Sequence, residues 1–122
     1  MNKLDFAKQL QCRTKKLAME IIKLGRLLPV STESKVIHYQ LIKAGTSIAA
    51  NYRAVCRSRS HKEFISKLGI VIEETDEVLY WLELIKELHL LKMKKIEPVY
   101  KEAKELLAIF IKSRITAKSN KS

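Results

Sequence analysis

Residues 51–64, NYRAVCRSRSHKEF, decide the fold, because one helical pattern ends here and another begins. Ser60 and Glu63 stand at capping-box spacing: the serine oxygen can accept the amide three residues on, while the glutamate carboxylate reaches back to the cap's own N–H. That chemistry predicts a corner followed by a helix. Immediately upstream, the small residues of AGTSIAAN, 44–51, let a neighbouring helix approach closely. Arg53, Arg57, Arg59 and Lys62 lie in or beside the corner, where they can pair with carboxylates or contact phosphates.

Downstream of the corner, Phe64, Leu68, Val71, Thr75, Val78, Leu82 and Ile85 recur at helical spacing. They predict a third helix reaching about residue 90, a rod of roughly 30 residues or about 45 Å. Upstream, Val36, Leu41, Ala44, Ile48 and Val55 form the inner stripe of a second helix that Ser31 or Thr32 can cap. Phe6, Leu10, Leu17, Ile21, Leu24 and Leu28 share one face of a first helix over about 3–28, which Pro29 stops. After the basic break LLKMKK, 90–95, a fourth stripe runs through Ile96, Val99, Ala103, Leu106, Phe110 and Ile111, with Pro98 expected in the first turn. Four amphipathic helices joined by short connections predict an all-α, antiparallel up-down-up-down four-helix bundle. Residues 1–117 form its single domain, and 118–122 are expected to fray.

Composition agrees with one folded helical domain. In 122 residues, 47% are hydrophobic and only three are Gly and two Pro, against 30% charged. The 24 Lys and Arg against 13 Asp and Glu give a net charge of +11, a field that favours nucleic acid or another anionic surface. Two cysteines, Cys12 and Cys56, form no CxxC or Cys/His cluster, so reduced thiols in the cytoplasm are expected. The sequence shows no apolar secretory segment and no run long enough to span a membrane.

Catalytic chemistry finds little support. A helical di-metal site needs a Glu-x-x-His pair on each of two helices. The residues three before His38, His61 and His89 are Lys35, Ser58 and Lys86. Neither a metal nor another cofactor is therefore expected. The glycines, Gly25, Gly45 and Gly69, are too scattered to cradle a phosphate. His61 beside Ser60 is accounted for by a helix start, so no enzyme activity is expected.

Six of the 13 acids, Glu73, Glu74, Asp76, Glu77, Glu83 and Glu87, crowd the second half of the third helix. Glu74 and Glu77 lie one turn apart, and bidentate pairing with Arg53 is expected to fix the register of helices two and three. Glu73, Glu83 and Glu87 are expected in solvent. Tyr80 and Trp81 sit about 100° apart on the helix, so one of them must reach a second apolar surface. With Ile65, Ile72, Leu84 and Leu88 also off the main stripe, helix three carries surplus apolar area, which implies oligomerisation. The cations are dispersed: Lys15, Lys16, Lys23 and Arg26 on helix one, Arg53 to Lys67 at the second corner, and Lys92, Lys94, Lys95, Lys101 and Lys104 beyond the third connection. Such a layout suits phosphate contacts over base-specific readout.

The segment from His38 to Ile85 resembles the 23S rRNA-intervening-sequence proteins, small bacterial four-helix bundles. Their pattern is matched at Gln40-Leu41, Ala44, Ser47-Ile48, Asn51, Ser60, Glu63-Phe64, Glu74, Glu77 and Tyr80-Trp81-Leu82. The resemblance covers roughly residues 20 to 90. It implies a bundle assembling into a homo-oligomeric ring, usually a pentamer, related to the accessory variability determinant proteins that bind nucleic acid and a reverse transcriptase. It brings no catalytic residues. Where family members often carry Glu after the Asn-x-x step, this chain has Ala54, so either an ion pair is missing or Glu74 and Glu77 replace it.

Two functions follow as expectations. The first is a ring-forming, non-enzymatic protein that binds RNA or DNA phosphates through Arg57, Arg59, Lys62, Lys15, Lys16, Lys94 and Lys95. The second is a scaffold or adaptor for a protein partner, whose positive charge serves solubility.

Overall fold

A computed structural model describes residues 2–120. Four helices follow one another: α1 (Lys3–Gly25), α2 (Thr32–Cys56), α3 (His61–Glu87) and α4 (Met93–Ser119). Each packs against its sequence neighbour, and α4 closes the square against α1 in the sparsest of the four contacts. The architecture is the antiparallel four-helix bundle that the stripes require. One end gathers the start of α1, the α2–α3 corner and the end of α4; the other gathers the two remaining connections.

Helix starts follow from capping. Asn2, Ser31 and Ser60 each adopt an extended backbone and accept an amide three residues on, from Asp5, Ser34 and Glu63, at 2.9, 3.1 and 3.0 Å. Of the two candidates for the α2 cap, Ser31 is therefore the one used. The Glu63 carboxylate does not complete the box as expected. It meets Lys67 Nζ at 2.9 Å and a backbone N–H of Arg59, one residue short of the cap. At its other end α3 closes through His89, whose φ of 54° occupies the left-handed position that usually favours Gly. The Leu90 amide then bonds back to Ile85 O at 3.0 Å.

The core is filled from all four helices by Leu10, Leu17, Ile21, Ile37, Leu41, Ile48, Leu68, Leu82, Ile85, Ile96, Leu106 and Phe110 among others. Three expected core positions turn out differently. Val36 is 54% exposed while Ile37 is buried, because adjacent residues diverge by about 100° and the inward phase falls on 37. Ile111 is exposed beside buried Phe110 for the same reason, and Phe6, near the start of α1, is 39% exposed. Helix α1 ends at Gly25, earlier than Pro29 alone would require. Pro98 falls in the second turn of α4, where the carbonyl it leaves without a donor belongs to exposed Lys94 and stays open to water. The chain remains helical through Ser119; of the expected frayed tail, residues 121 and 122 lie outside the described part.

Two glycines make opposite use of a missing side chain. A Cβ on Gly45 would stand 2.7 Å and 2.9 Å from the Cδ1 and Cγ2 atoms of Ile21, a fully buried residue that has nowhere to retreat. A Cβ on Gly69 would meet only the Arg114 guanidinium, at 3.4 Å. Gly45→Ala is expected to lose about 1 to 3 kcal/mol to overpacking, while Gly69→Ala gains up to about 1 kcal/mol from helix propensity. Thermal unfolding of the two variants checks the opposite signs.

Candidate nucleic-acid interface

The α2–α3 corner is built from the end of one helix and the start of the next. Arg57 caps the C-terminus of α2 with its backbone, and Ser60 caps the N-terminus of α3. Between them the chain has no room for a coil, so the side chains of the turn and of the first α3 turns point into one region. Arg59, Lys62 and Lys67, with Ser60, Glu63 and Ser66, line a shallow pocket of about 570 Å³. The positive end of the α3 dipole lies at the same place, which adds to the attraction for an anion. Glu63 is the single acid of the pocket, and the Lys67 ammonium holds its carboxyl below the usual carboxylate range. Arg59 and Lys62 stand in no ion pair among the described residues, although the Glu63 carboxylate feels the Arg59 charge as well.

The remaining candidates lie elsewhere. Arg57 is exposed at the corner but does not line the pocket. Lys15 and Lys16 are exposed midway along α1. Lys94 and Lys95 stand in the first turn of α4, at the far end of the bundle, separated from the corner by the length of α3, roughly 40 Å for its 27 residues. That first turn has Lys92 as its cap with no side-chain bond to the free amides and no acid nearby, so its lysines oppose the helix dipole instead of complementing it. The seven cations form three separate sites.

The expected pairing of Arg53 with Glu74 and Glu77 is not formed. Folding α3 back on α2 about the corner sets Arg53 level with the beginning of α3, roughly 15 Å along the axis from Glu74. Arg53 is exposed, and it is Lys43 whose charge reaches Glu74. Partial burial, then the neighbouring Glu77, push the Glu74 carboxyl above its ordinary range, and Lys43 only partly opposes them. Glu77 Oε1 instead accepts the Trp81 indole N–H at 3.3 Å. Glu73 and Glu87 are in solvent, whereas exposed Glu83 accepts the Tyr100 hydroxyl at 2.9 Å.

A bidentate arginine does exist, on another pair of helices. Arg13 of α1 donates through Nε and Nη2 to both carboxylate oxygens of Glu102, at 3.0 and 2.7 Å, and through Nη2 to Glu105 at 2.9 Å. These bonds raise its already high pKa further and tie α1 to α4, the helix pair in sparsest contact. Two other long-range bonds also escape a reading of the sequence. Arg114 Nε donates to Ile65 O at 3.1 Å beside Gly69, and His61 Nε2 meets Ala117 O at 2.7 Å. Only a chain of three-residue and four-residue spacings is visible in sequence, and these contacts span 49 residues or more.

Of the residues that matched the family pattern outside the core, Ser60, Glu63 and Phe64 stand at the corner and six others form a strip. Gln40, Ser47 and Asn51 share a face of α2, and Glu74, Glu77 and Trp81 share a face of α3; all six are half-buried. Tyr80 stays 55% exposed, packed edge-on against Trp81 with centroids 4.9 Å apart. Both cysteines are free and exposed. No group of three potential metal ligands occurs among the described residues, and no described helix is long and apolar enough to cross a membrane.

A basic, antiparallel bundle of four long helices with this motif strip defines the class of protein. Residues 8–112 match the 23S rRNA-intervening sequence proteins, and the chain belongs to that family. The fold is shared with a crystal structure of a protein of unknown function from the S23 ribosomal protein family of Bacteroides thetaiotaomicron, at a TM-score of 0.79 and 28% identity, covering 85% of this chain and 96% of that one. No curated protein matches the chain.

Arg13→Ala removes three hydrogen bonds from the sparsest helix pair and leaves two partly exposed carboxylates side by side. The expected cost is about 1 to 2 kcal/mol, discounted for solvent access. Urea unfolding measures it, and amide exchange should accelerate in α1 and α4 ahead of α2 and α3.

Proposed function

We propose that the protein is a non-enzymatic, ring-forming basic bundle that binds RNA or DNA by its phosphates. The observation that carries this reading is the corner pocket, where Arg59 and Lys62 converge at the start of a helix and neither is held in an ion pair. Arg57 stands beside it. Lys15 and Lys16 along α1, and Lys94 and Lys95 at the opposite end, serve as further phosphate contacts along an extended backbone. Three sites spread over roughly 40 Å suit a long polyanion better than a small one. The net charge of +11 supplies the long-range attraction.

The ring reading is supported by apolar groups that a monomer leaves open. Val36, Tyr39 and Tyr80 are each more than half exposed, 54%, 65% and 55%, on the two helices that carry the half-buried motif strip. Association through such a surface buries aromatic area, the usual content of an interface core. A second reading, an adaptor for a protein partner such as a reverse transcriptase, is favoured by the same exposed tyrosines and by the acids of α3. The two differ in what the corner does.

Binding to ribosomal RNA or duplex DNA should weaken steeply as salt rises from low to moderate concentration, as counterion release demands. The double substitution Arg57→Glu and Arg59→Glu should reduce that binding at least about tenfold and flatten the salt slope. An adaptor would keep its protein partner through the same change. No binding at low salt, measured by fluorescence anisotropy, contradicts the phosphate reading.

Light scattering tests the assembly separately. The expected mass is a multiple of the 14.1 kDa chain, and Tyr80→Asp should shift it towards the monomer while leaving the helical content intact.

A further inference from the structure

The corner pocket has a neighbour. Ser60 lines both it and an apolar groove of about 1030 Å³ that opens at the same end of the bundle, between the start of α1 and the end of α4. Phe6, Phe64, Leu68 and Ile109 supply the walls. Phe6 is 39% exposed, so its ring is available to a ligand, while Phe64 rests partly on the core. Ser113 and Thr116 of α4, on the same lining and not buried, carry hydroxyls.

We infer that this groove accepts an unstacked nucleobase of a single strand whose phosphates lie in the adjoining pocket of Arg59, Lys62 and Lys67. The inference rests on the nucleic-acid reading and specifies its substrate. A nucleobase has flat apolar faces and polar edges, and the groove offers the matching pair: an aromatic ring to stack on, and the hydroxyls of Ser113 and Thr116 on the same lining. Cationic contact next to aromatic stacking is the arrangement that holds single strands. The bases of a duplex are stacked inward and cannot reach Phe6, so a duplex engages the cations alone. Charge density by itself favours the duplex, which has the steeper counterion release. A preference for the single strand is therefore a signature of the groove and not of the charge.

The test compares a short single-stranded oligonucleotide with its duplex by anisotropy at one salt concentration. A 2-aminopurine in the single strand reports stacking. The expected result is tighter binding of the single strand, with quenching of the 2-aminopurine. Phe6→Ala, outside the buried core, should lower single-strand affinity by roughly 5- to 150-fold, abolish the quenching and leave duplex affinity unchanged. Phe6→Trp should preserve the preference, and Arg59→Glu should weaken both ligands. Equal affinity for the two ligands, or a Phe6→Ala variant that binds as before or loses both equally, overturns the inference while the phosphate reading stands. Absence of binding by either ligand at low salt overturns both together.

Discussion

The bundle depends on how sharply the chain turns between α2 and α3. With Arg57 closing one helix and Ser60 opening the next, the two are locked into a single antiparallel register, and their contact is the most extensive in the molecule. Register then decides which charges meet. Lys43 comes level with Glu74, and Arg53 is left beside the turn with no ion pair. The turn also aims the start of α3, with its dipole and its lysines, at the end of the bundle where α1 begins and α4 ends. The basic pocket and the apolar groove lie side by side because one short turn brings four helix ends together.

Much of this was legible in the sequence because it is local. The core of α3, from Leu68 through Val71, Thr75, Val78 and Leu82 to Ile85, is buried as its spacing requires. The caps at Ser31 and Ser60 are visible because a hydroxyl three residues before the right amide needs no tertiary information. Val36 was misplaced although spacing favours its neighbour: Ile37 stands four residues before Leu41 and Val36 five, and it is Ile37 that is buried. The arginine that makes the bidentate bond could not be chosen at all. Arg13 and Glu102 are 89 residues apart, and nothing in their neighbourhoods separates them from Arg53 and Glu74. Of the candidate interface, the corner was legible and the groove was not, since its walls come from α1, α2, α3 and α4 at once.

Charge is distributed with the same economy of position. Acids concentrate on the distal half of α3, while cations occupy the corner, the length of α1 and the beginning of α4. The lysines at that last place weaken the helix they start, for they face uncapped amides with their own sign. A sequence chosen for helix stability alone would place acids there. Their presence is a local cost, consistent with a surface that meets an anion from outside.

The sparse seam between α1 and α4 is also the contact whose closure costs the chain most entropy. Every other helix contact joins sequence neighbours through a short turn and closes a small loop. The α1–α4 seam must bring together segments separated by most of the chain, and the entropy of that closure has to be met before Arg13 can reach Glu102 and Glu105. That cost falls on this seam alone, and both the shared core, with Leu10 and Leu17 of α1 and Leu106 and Phe110 of α4, and the Arg13 ion pairs offset it.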